Sequence, residues 1–507
     1  MGWKEYFVAA LIVNVFQMAF AFVIFSFQGV LPLNPQGFPG LSWDLAFMQV
    51  ISFATNTNLQ HYNGEGNCVQ LPNCTSLVVP SVPGLSYLSQ MMAVQFLQFT
   101  SATTGICVAV AMIRGFIAHS KDLGNFYVDF TRTLTRILFP LCFAASLVFV
   151  GLGVPQTLTG YQIAKTVEGA TQTILVGPVA SLVSIMQLGT NGGGYYGANS
   201  AYPFQNPNPA SDIFQIFLML LIPTSLCFVF GQLIGKKRES RPILWGAYAL
   251  FALDLLIAFT PSFPAVGPGM EVRFGGFFSV FWTVVTTAVT TGSVNASLSS
   301  VNPLVILSAF NGMLIQATPG GKGVGVMYMV MFIVITVFVV GLMSGRTPEY
   351  LGMKITSRDI KLVMIAFLVH PVIILIPTVL AYSTGAASGI GVGTGSIGFT
   401  QIFYEFTSAA SNNGSDFLGA SANTPFFNIS TALVMLFGRF APIGLLLALA
   451  GSMINRKRST EIGLKTDSIT FTVVLVGSIL LLVVLTFFPF LALGPILEFF
   501  QHRPNGF

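Results

Sequence analysis

The stretch that decides the fold is Gly189-Thr190-Asn191-Gly192-Gly193-Gly194, a polar turn that follows the short apolar segment Val179-Ala180-Ser181-Leu182. The same succession of an apolar segment and a Gly, Asn or Thr turn occurs three more times, ending at Thr55-Asn56-Thr57-Asn58, Thr290-Thr291-Gly292-Ser293 and Asn412-Asn413-Gly414-Ser415. When the four turns are aligned, one column contains Asn58, Gly192, Gly292 and Gly414, and the column before it contains Thr57, Asn191, Thr291 and Asn413. A fourfold recurrence of this kind indicates a repeated architecture.

The composition around these turns is that of a membrane protein. Of the 507 residues, 53% are hydrophobic and only 8% are charged, whereas soluble domains carry about a quarter charged residues. Nine apolar runs are long enough, or nearly so, to cross a bilayer as helices, at 6–29, 87–113, 137–153, 213–234, 243–262, 326–344, 361–382, 428–452 and 469–494. The first run is too long for a removable signal peptide and lacks a small-residue cleavage site.

The basic residues orient these spans. Sixteen of the 22 Lys and Arg residues form four clusters between spans, at Arg114, Lys121, Arg132, Arg136; Lys236, Lys237, Arg238, Arg241; Arg346, Lys354, Arg358, Lys361; and Arg456, Lys457, Arg458, Lys465. By the positive-inside rule these connections are predicted to be cytoplasmic, so the four turns face outside. The clusters are therefore topology signals, and we expect no nucleic-acid partner.

Together these patterns predict an all-α polytopic membrane protein with four pseudo-symmetric helix–pore loop–helix repeats and one extra C-terminal transmembrane helix. The predicted repeats are 1–115 with a pore loop at 43–61, 130–235 with a pore loop at 177–197, 242–346 with a pore loop at 275–296, and 360–455 with a pore loop at 399–418. The extra helix is predicted at 466–496.

The turns have the chemistry of a binding site for a monovalent cation. Irregular backbone survives at membrane depth only where it lines protein or a water-filled path. Glycine lets the backbone turn its carbonyls toward an axis, and the C-terminal end of a short helix adds partial negative charge there. The turns carry no charged residue, which favours K⁺ or Na⁺ over divalent ions. The predicted ligands are Asn56, Thr57, Asn58, Thr190, Asn191, Gly192, Thr290, Thr291, Gly292, Asn412, Asn413 and Gly414.

Several longer strings resemble a known family, the potassium-binding A subunit of the prokaryotic Kdp potassium-transporting ATPase. The strings are 32–35 with 40–44, the four turns, 199–200 with 203–204, 345–352 (Gly-Arg-Thr-Pro-Glu-Tyr-Leu-Gly) and 409–415. The resemblance implies a fold similar to the Trk/Ktr/HKT transporters and a place in a multi-subunit complex in the prokaryotic plasma (inner) membrane. It also implies that K⁺ is the transported ion, selected here and passed sideways to a P-type ATPase catalytic subunit, with small accessory membrane subunits as further partners.

The chain departs from that family in two places. Members usually carry one more helix before the first repeat, so either this member lacks it or the true start lies upstream of Met1. The outer loop from Gly64 to Pro83 is longer than usual and contains Cys68 and Cys74, for which we predict a local disulfide. Zinc is not expected there, because His61 is the only histidine nearby.

Two further sets of residues are predicted to control the ion path. Arg439 lies in the middle of the second helix of repeat 4, and the resemblance implies a cation just below the filter that opposes direct leakage; the alternative is a structural bond to a carbonyl. The segment 297–345 is too long for one crossing, so Gly321, Lys322 and Gly323 are predicted to break the helix as an intramembrane gate. A surface loop is the alternative for that stretch.

The sequence contains no motif for ATP hydrolysis. It has neither a Walker A string nor an Asp-Lys-Thr-Gly phosphorylation motif, so we expect no nucleotide to bind this chain. Two other functions stay open at this point: a stand-alone K⁺ channel or symporter of the Trk/Ktr type, and a membrane scaffold without an ion path.

Overall fold

A computed structural model describes residues 1–65, 82–117, 122–260, 266–390, 392–393, 395–454, 456–458 and 464–501. Within these ranges, nine helices are long and apolar enough to cross a membrane, as the sequence predicts. The predicted Cys68–Cys74 disulfide lies outside the described residues.

The first two repeats each contain two long helices and one short pore helix between them. Repeat 1 consists of α1 (Trp3–Phe27), pore helix α2 (Trp43–Ala54) and α3 (Tyr87–Gly115). Repeat 2 consists of α4 (Phe126–Gly151), pore helix α5 (Val179–Leu188) and α6 (Pro209–Leu233). At 12 and 10 residues, the pore helices are about half the length that a ~30 Å hydrocarbon core requires.

The third and fourth repeats follow the same plan with one variation. Repeat 3 consists of α7 (Lys237–Phe259), pore helix α8 (Gly275–Ala288), a short helix α9 (Pro303–Ile315) and a full-length helix α10 (Val324–Met343). Repeat 4 consists of α11 (Ser357–Ser383), pore helix α12 (Gly395–Ala410) and α13 (Pro425–Met453), and the extra helix is α14 (Ile469–Gln501). Two small antiparallel hairpins complete the described structure, β1 (Gln162–Lys165) with β2 (Thr171–Ile174) and β3 (Glu349–Tyr350) with β4 (Met353–Lys354).

The break between α9 and α10 has a local cause. Gln316 ends α9 in the left-handed region (φ 53°), and Gly323 opens α10 at φ 75°, a backbone conformation that glycine adopts without a steric penalty. The segment between them, residues 316–323, packs against pore helix α8, where the Gly320 N–H donates to the Ala288 carbonyl at 2.9 Å. The third repeat is therefore interrupted at membrane depth.

Burial separates central helices from peripheral ones. In α3, 83% of the most apolar stretch is buried inside the protein, against 22% in α4 and 28% in α14. The outward faces of the peripheral helices carry exposed apolar side chains, such as Phe16, Phe143 and Leu485. A surface of this kind is suited to contact with lipid rather than water.

The basic clusters gather at one end of the molecule, but several of their members are helical. The Arg458 guanidinium donates to the carbonyls of Leu351 and Phe116, at 3.1 and 2.9 Å, and so joins the first, third and fourth clusters. Arg132 and Arg136 were expected in a connection, yet both lie inside α4. The prediction from apolar runs began this helix at residue 137 because residues 126–136, about three helical turns, contain Asp129, Arg132 and Arg136 and so interrupt the apolar run.

Candidate ion-binding site

The same type of backbone hydrogen bond joins each of the four turns to its own pore helix. In each repeat, the N–H of the middle turn residue donates to the carbonyl five residues earlier: Thr57 to Ser52 at 2.9 Å, Asn191 to Met186 at 2.9 Å, Thr291 to Thr286 at 2.7 Å, and Asn413 to Ser408 at 2.9 Å. Four equivalent bonds at aligned positions mean that the four turns leave their helices in the same way. The pore helices therefore present their C-terminal ends, with partial negative charge, to the turns.

The backbone of each turn alternates in handedness. The residue before the middle one has positive φ in every loop, at Asn56 (65°), Thr190 (35°), Thr290 (47°) and Asn412 (53°). The residue after it does as well, at Asn58 (58°), Gly192 (72°), Gly292 (87°) and Gly414 (102°). Positive φ is strained for residues other than glycine, costing on the order of 1–3 kcal/mol each, and such strain concentrates at functional sites. These twelve residues, 56–58, 190–192, 290–292 and 412–414, are called the loop ring below.

Contacts between successive repeats close the loop ring, with the second turn against the third, the third against the fourth and the fourth against the first. A Cβ added to Gly192 would overlap the carbonyl oxygen of Thr291; one added to Gly292 would overlap that of Asn413; and one added to Gly414 would overlap that of Thr57. Each glycine is therefore packed against the middle carbonyl of the next repeat, and the fourth repeat returns to the first. Repeat 1 differs from the others because it has Asn58 in the glycine column.

The inner surface of the ring is neutral and rich in oxygen. None of the twelve residues is charged. Across the described ranges, the four middle carbonyls, of Thr57, Asn191, Thr291 and Asn413, accept no hydrogen bond. Within the same ranges the buried amide of Asn58 and the hydroxyl of Thr291 have no partner. Because buried polar groups are normally paired, this set of free oxygens is suited to coordinating a monovalent cation.

Two residues of α3 support the ring from behind, and the sequence reading missed both. The Gln98 amide donates to the Gly192 carbonyl at 3.1 Å, and the Ser101 hydroxyl donates to Asn56 Oδ1 at 3.2 Å. The Asn191 amide also donates to Asn56 Oδ1, at 2.9 Å. A buried Gln and Ser in an apolar span are the signals that identify such supports, since polar groups at that depth are costly without a partner.

The predicted barrier and gate residues lie together beneath the ring. The backbone N–H of Lys322 is 3.4 Å from Thr190 Oγ1, at the inner end of the second turn. A Cβ at Gly321 would overlap Thr290 Oγ1, so the broken segment also touches the third turn. Helix α3 also packs closely against both groups at Gly105, where an added Cβ would lie 2.5 Å from the Lys322 carbonyl and 2.9 Å from Arg439 Nη2. The segment is thus buried, and the surface-loop alternative does not describe it.

Arg439 and Lys322 place two buried basic side chains at this level. Arg439 Nη2 donates to the Ser101 carbonyl at 3.4 Å, and the residue is 5% exposed. Lys322 is 1% exposed, and its ammonium has no partner in the part of the chain that the structure describes. Buried cations without carboxylates are costly, which points to a role beyond packing.

Taken together, the fold and the ring define a class: polytopic membrane proteins in which four turns of a single chain, each following a short helix, pack into one ring. The fold is similar to that of the potassium transporter TrkH from Vibrio parahaemolyticus, with a TM-score of 0.54 at 15% identity, covering 87% of this chain and 84% of that one. The chain belongs to the KdpA family, described as the potassium-transporting ATPase A subunit, whose model matches residues 1–500. Membership confirms the resemblance drawn from the turns and from residues 345–352, and makes this chain a potassium-transport subunit with multiple membrane spans.

Proposed function

We propose that this chain binds external K⁺ at the loop ring, which acts as the selectivity filter of an ATP-driven high-affinity uptake complex. The observation that carries the proposal is the closed ring of four middle carbonyls, which accept no hydrogen bond from the described residues. The N–H of each middle residue is held by the same hydrogen bond in all four repeats. A ring of neutral carbonyl oxygens can replace the hydration shell of K⁺. The strained backbone supports this function, because it holds the carbonyls in place before the ion arrives.

The ion then leaves sideways, to a separate P-type ATPase catalytic subunit. This step is supported by what lies below the ring: the segment 316–323 is buried against the second and third turns, and Arg439, buried at the same level, has a charge that would repel a cation on the axis. In this role Gly321 and Gly323 let the segment approach the third turn and α3 closely. Small accessory membrane subunits complete the complex, and this chain binds no nucleotide.

The ring faces outward from the plasma (inner) membrane of a prokaryotic cell. The gathering of basic residues at the opposite end supports this orientation. A single cysteine placed at Lys237 or Lys457 in a cysteine-free background should react with a membrane-impermeant thiol reagent only in inside-out vesicles. Labelling of either site in right-side-out vesicles would contradict the orientation.

One preparation tests both the filter and the partner. A tag on this chain should co-purify a P-type ATPase polypeptide, and a density map of that complex in K⁺ should show a peak on the axis among the four middle carbonyls. The peak should disappear when K⁺ is replaced by a large organic cation. An axis without density in K⁺ would contradict the filter.

A second candidate is a stand-alone K⁺ channel or symporter of the Trk/Ktr type, which the fold similarity to TrkH favours. The same purification separates the two functions. Tagged chain that carries K⁺ in liposomes and never co-purifies with an ATPase would support the second candidate.

A further inference from the structure

The loop ring closes where the first repeat meets the fourth, and a buried polar cluster lies at this seam. His61, three residues beyond the first turn, contacts Glu405 on pore helix α12: His61 Nε2 is 3.1 Å from Glu405 Oε1. The other ring nitrogen, His61 Nδ1, is 2.7 Å from Oδ1 of Asn428 on α13. Asn428 Nδ2 donates in turn to Asp44, the second residue of pore helix α2, at 2.8 Å.

The geometry defines the charge of His61. Asn428 Nδ2 donates both to Asp44 and, at 2.9 Å, to Asn423 Oδ1, so the oxygen of the Asn428 amide is the atom that faces His61. A carboxylate can only accept, so both nitrogens of the imidazole face acceptors. A neutral imidazole has one N–H, and an imidazolium has two. With Glu405 ionised, His61 is an imidazolium that donates to both partners.

The surroundings of His61 are rich in carboxyl groups. His61 and Glu405 are both 0% exposed, and the second oxygen of Glu405 has no partner among the described residues. Asp416 also acts electrostatically on His61, and the buried Tyr404 hydroxyl lies near Glu405 and Asp416. A pair of this kind is costly to break from one side, because the remaining charge is buried and unpaired.

Both partners are connected to the loop ring through neighbouring residues. On the side of repeat 1, Ser52 Oγ donates to the Leu59 carbonyl at 3.0 Å, two residues before His61. On the side of repeat 4, Tyr404, the neighbour of Glu405, shares a 2.8 Å hydrogen bond with Ser415, whose N–H donates to Asn413 Oδ1 at 3.0 Å. A shift of either partner therefore moves a ring residue.

We propose that His61 and Glu405 are positioning residues that set the spacing between the first and fourth turns, and with it the preference of the ring for K⁺ over Na⁺. The three other junctions of the ring join repeats that follow each other in sequence, whereas these two residues are 344 positions apart. This inference rests on the proposed filter function and adds two residues outside the ring to it.

The test compares charge and geometry at the same site. Glu405→Ala removes the acceptor of His61, so the K⁺ concentration for half-maximal uptake by the intact complex should rise about tenfold, and competition by Na⁺ should increase. Glu405→Gln keeps an oxygen at hydrogen-bond distance, so its half-saturation should stay within about twofold of the parent. Glu405→Leu fills a similar volume without an acceptor, so it should behave like Glu405→Ala, whereas a role in packing alone would predict rescue by Leu as well as by Gln.

The control is an ion pair at the other end of the molecule. Arg114 and Asp129 join α3 to α4 at 2.5 Å, and Asp129→Ala should change neither half-saturation nor ion preference. If Glu405→Ala does not accumulate, His61→Gln is measured in its place. Parent-like half-saturation and ion preference in the accumulating variant would overturn the proposal. If filter-glycine variants alter affinity in the same assay, the filter function survives that outcome; if they do not, the filter itself has failed.

Discussion

Gly192→Asp is expected to raise the K⁺ concentration for half-maximal uptake by about a hundredfold, or ~2.7 kcal/mol of binding free energy, and to relax discrimination among monovalent cations. Gly192 has φ 72°, and a Cβ there would overlap the Thr291 carbonyl, so the side chain displaces a ligand of the third loop. The carboxylate also adds charge to a site built from neutral oxygens. Gly292→Asp and Gly414→Asp should act alike, because each faces the next middle carbonyl in the same way. The measurement is concentration-dependent uptake of K⁺ and Rb⁺ in cells without other K⁺ importers.

Two control glycines separate the ring effect from backbone strain and from misfolding. Gly235 has almost the same φ, 71°, but a Cβ there meets no atom within 4 Å, so Gly235→Asp should keep the parent affinity. Gly246, on α7, is packed against Met329 and Leu475, so Gly246→Asp should reduce yield instead. Unchanged affinity and ion preference in all three ring variants, at normal expression, would mean that these loops are not the filter.

Arg439→Gln is expected to uncouple ATP hydrolysis from uptake and to allow passive K⁺ leakage, while K⁺ still binds the ring. At a separation of about 6 Å and an effective dielectric constant of about 20, one positive charge raises the energy of a cation on the axis by about 3 kcal/mol. Its removal should increase leakage by about a hundredfold. The measurement is K⁺ flux into liposomes containing the complex, with and without ATP.

Arg439→Lys is the matched variant, because it keeps the charge and loses the planar guanidinium. If charge is the barrier, the Lys variant should stay coupled. If the bond from Arg439 to the Ser101 carbonyl matters instead, Lys and Gln should both destabilise the complex without leakage. Tight coupling and parental transport in the Gln variant would reduce Arg439 to a packing residue.

The ring residues could be predicted from the sequence because their chemistry is local. Each turn directly follows its own pore helix, so alignment of four short strings was enough to bring Thr57, Asn191, Thr291 and Asn413 into one column. The break near Gly323 was predictable for the same reason, since the length of the apolar stretch and its glycines lie within one segment. Nine spans followed from hydropathy alone.

Contacts between distant repeats could not be predicted in this way. His61 was considered only as an insufficient zinc ligand, and Glu405 only as part of an apolar pore helix, because nothing local joins positions so far apart. One signal was available: a glutamate within the buried face of a short apolar helix needs a partner. The start of α4 was misjudged for a different reason, since hydropathy does not detect the charged turns with which a helix begins.

Asn58 occupies the column in which the other three loops have glycine. In a channel assembled from four identical chains, a substitution in this column would appear in all four subunits, so a single asparagine beside three glycines could not occur. In this chain the four loops are encoded separately, so a mutation changes one of the four ring positions and leaves the other three unchanged. Substituting the four positions of this column one, two or three at a time would therefore give a graded series of ion preferences, from a ring that no homotetramer can reproduce.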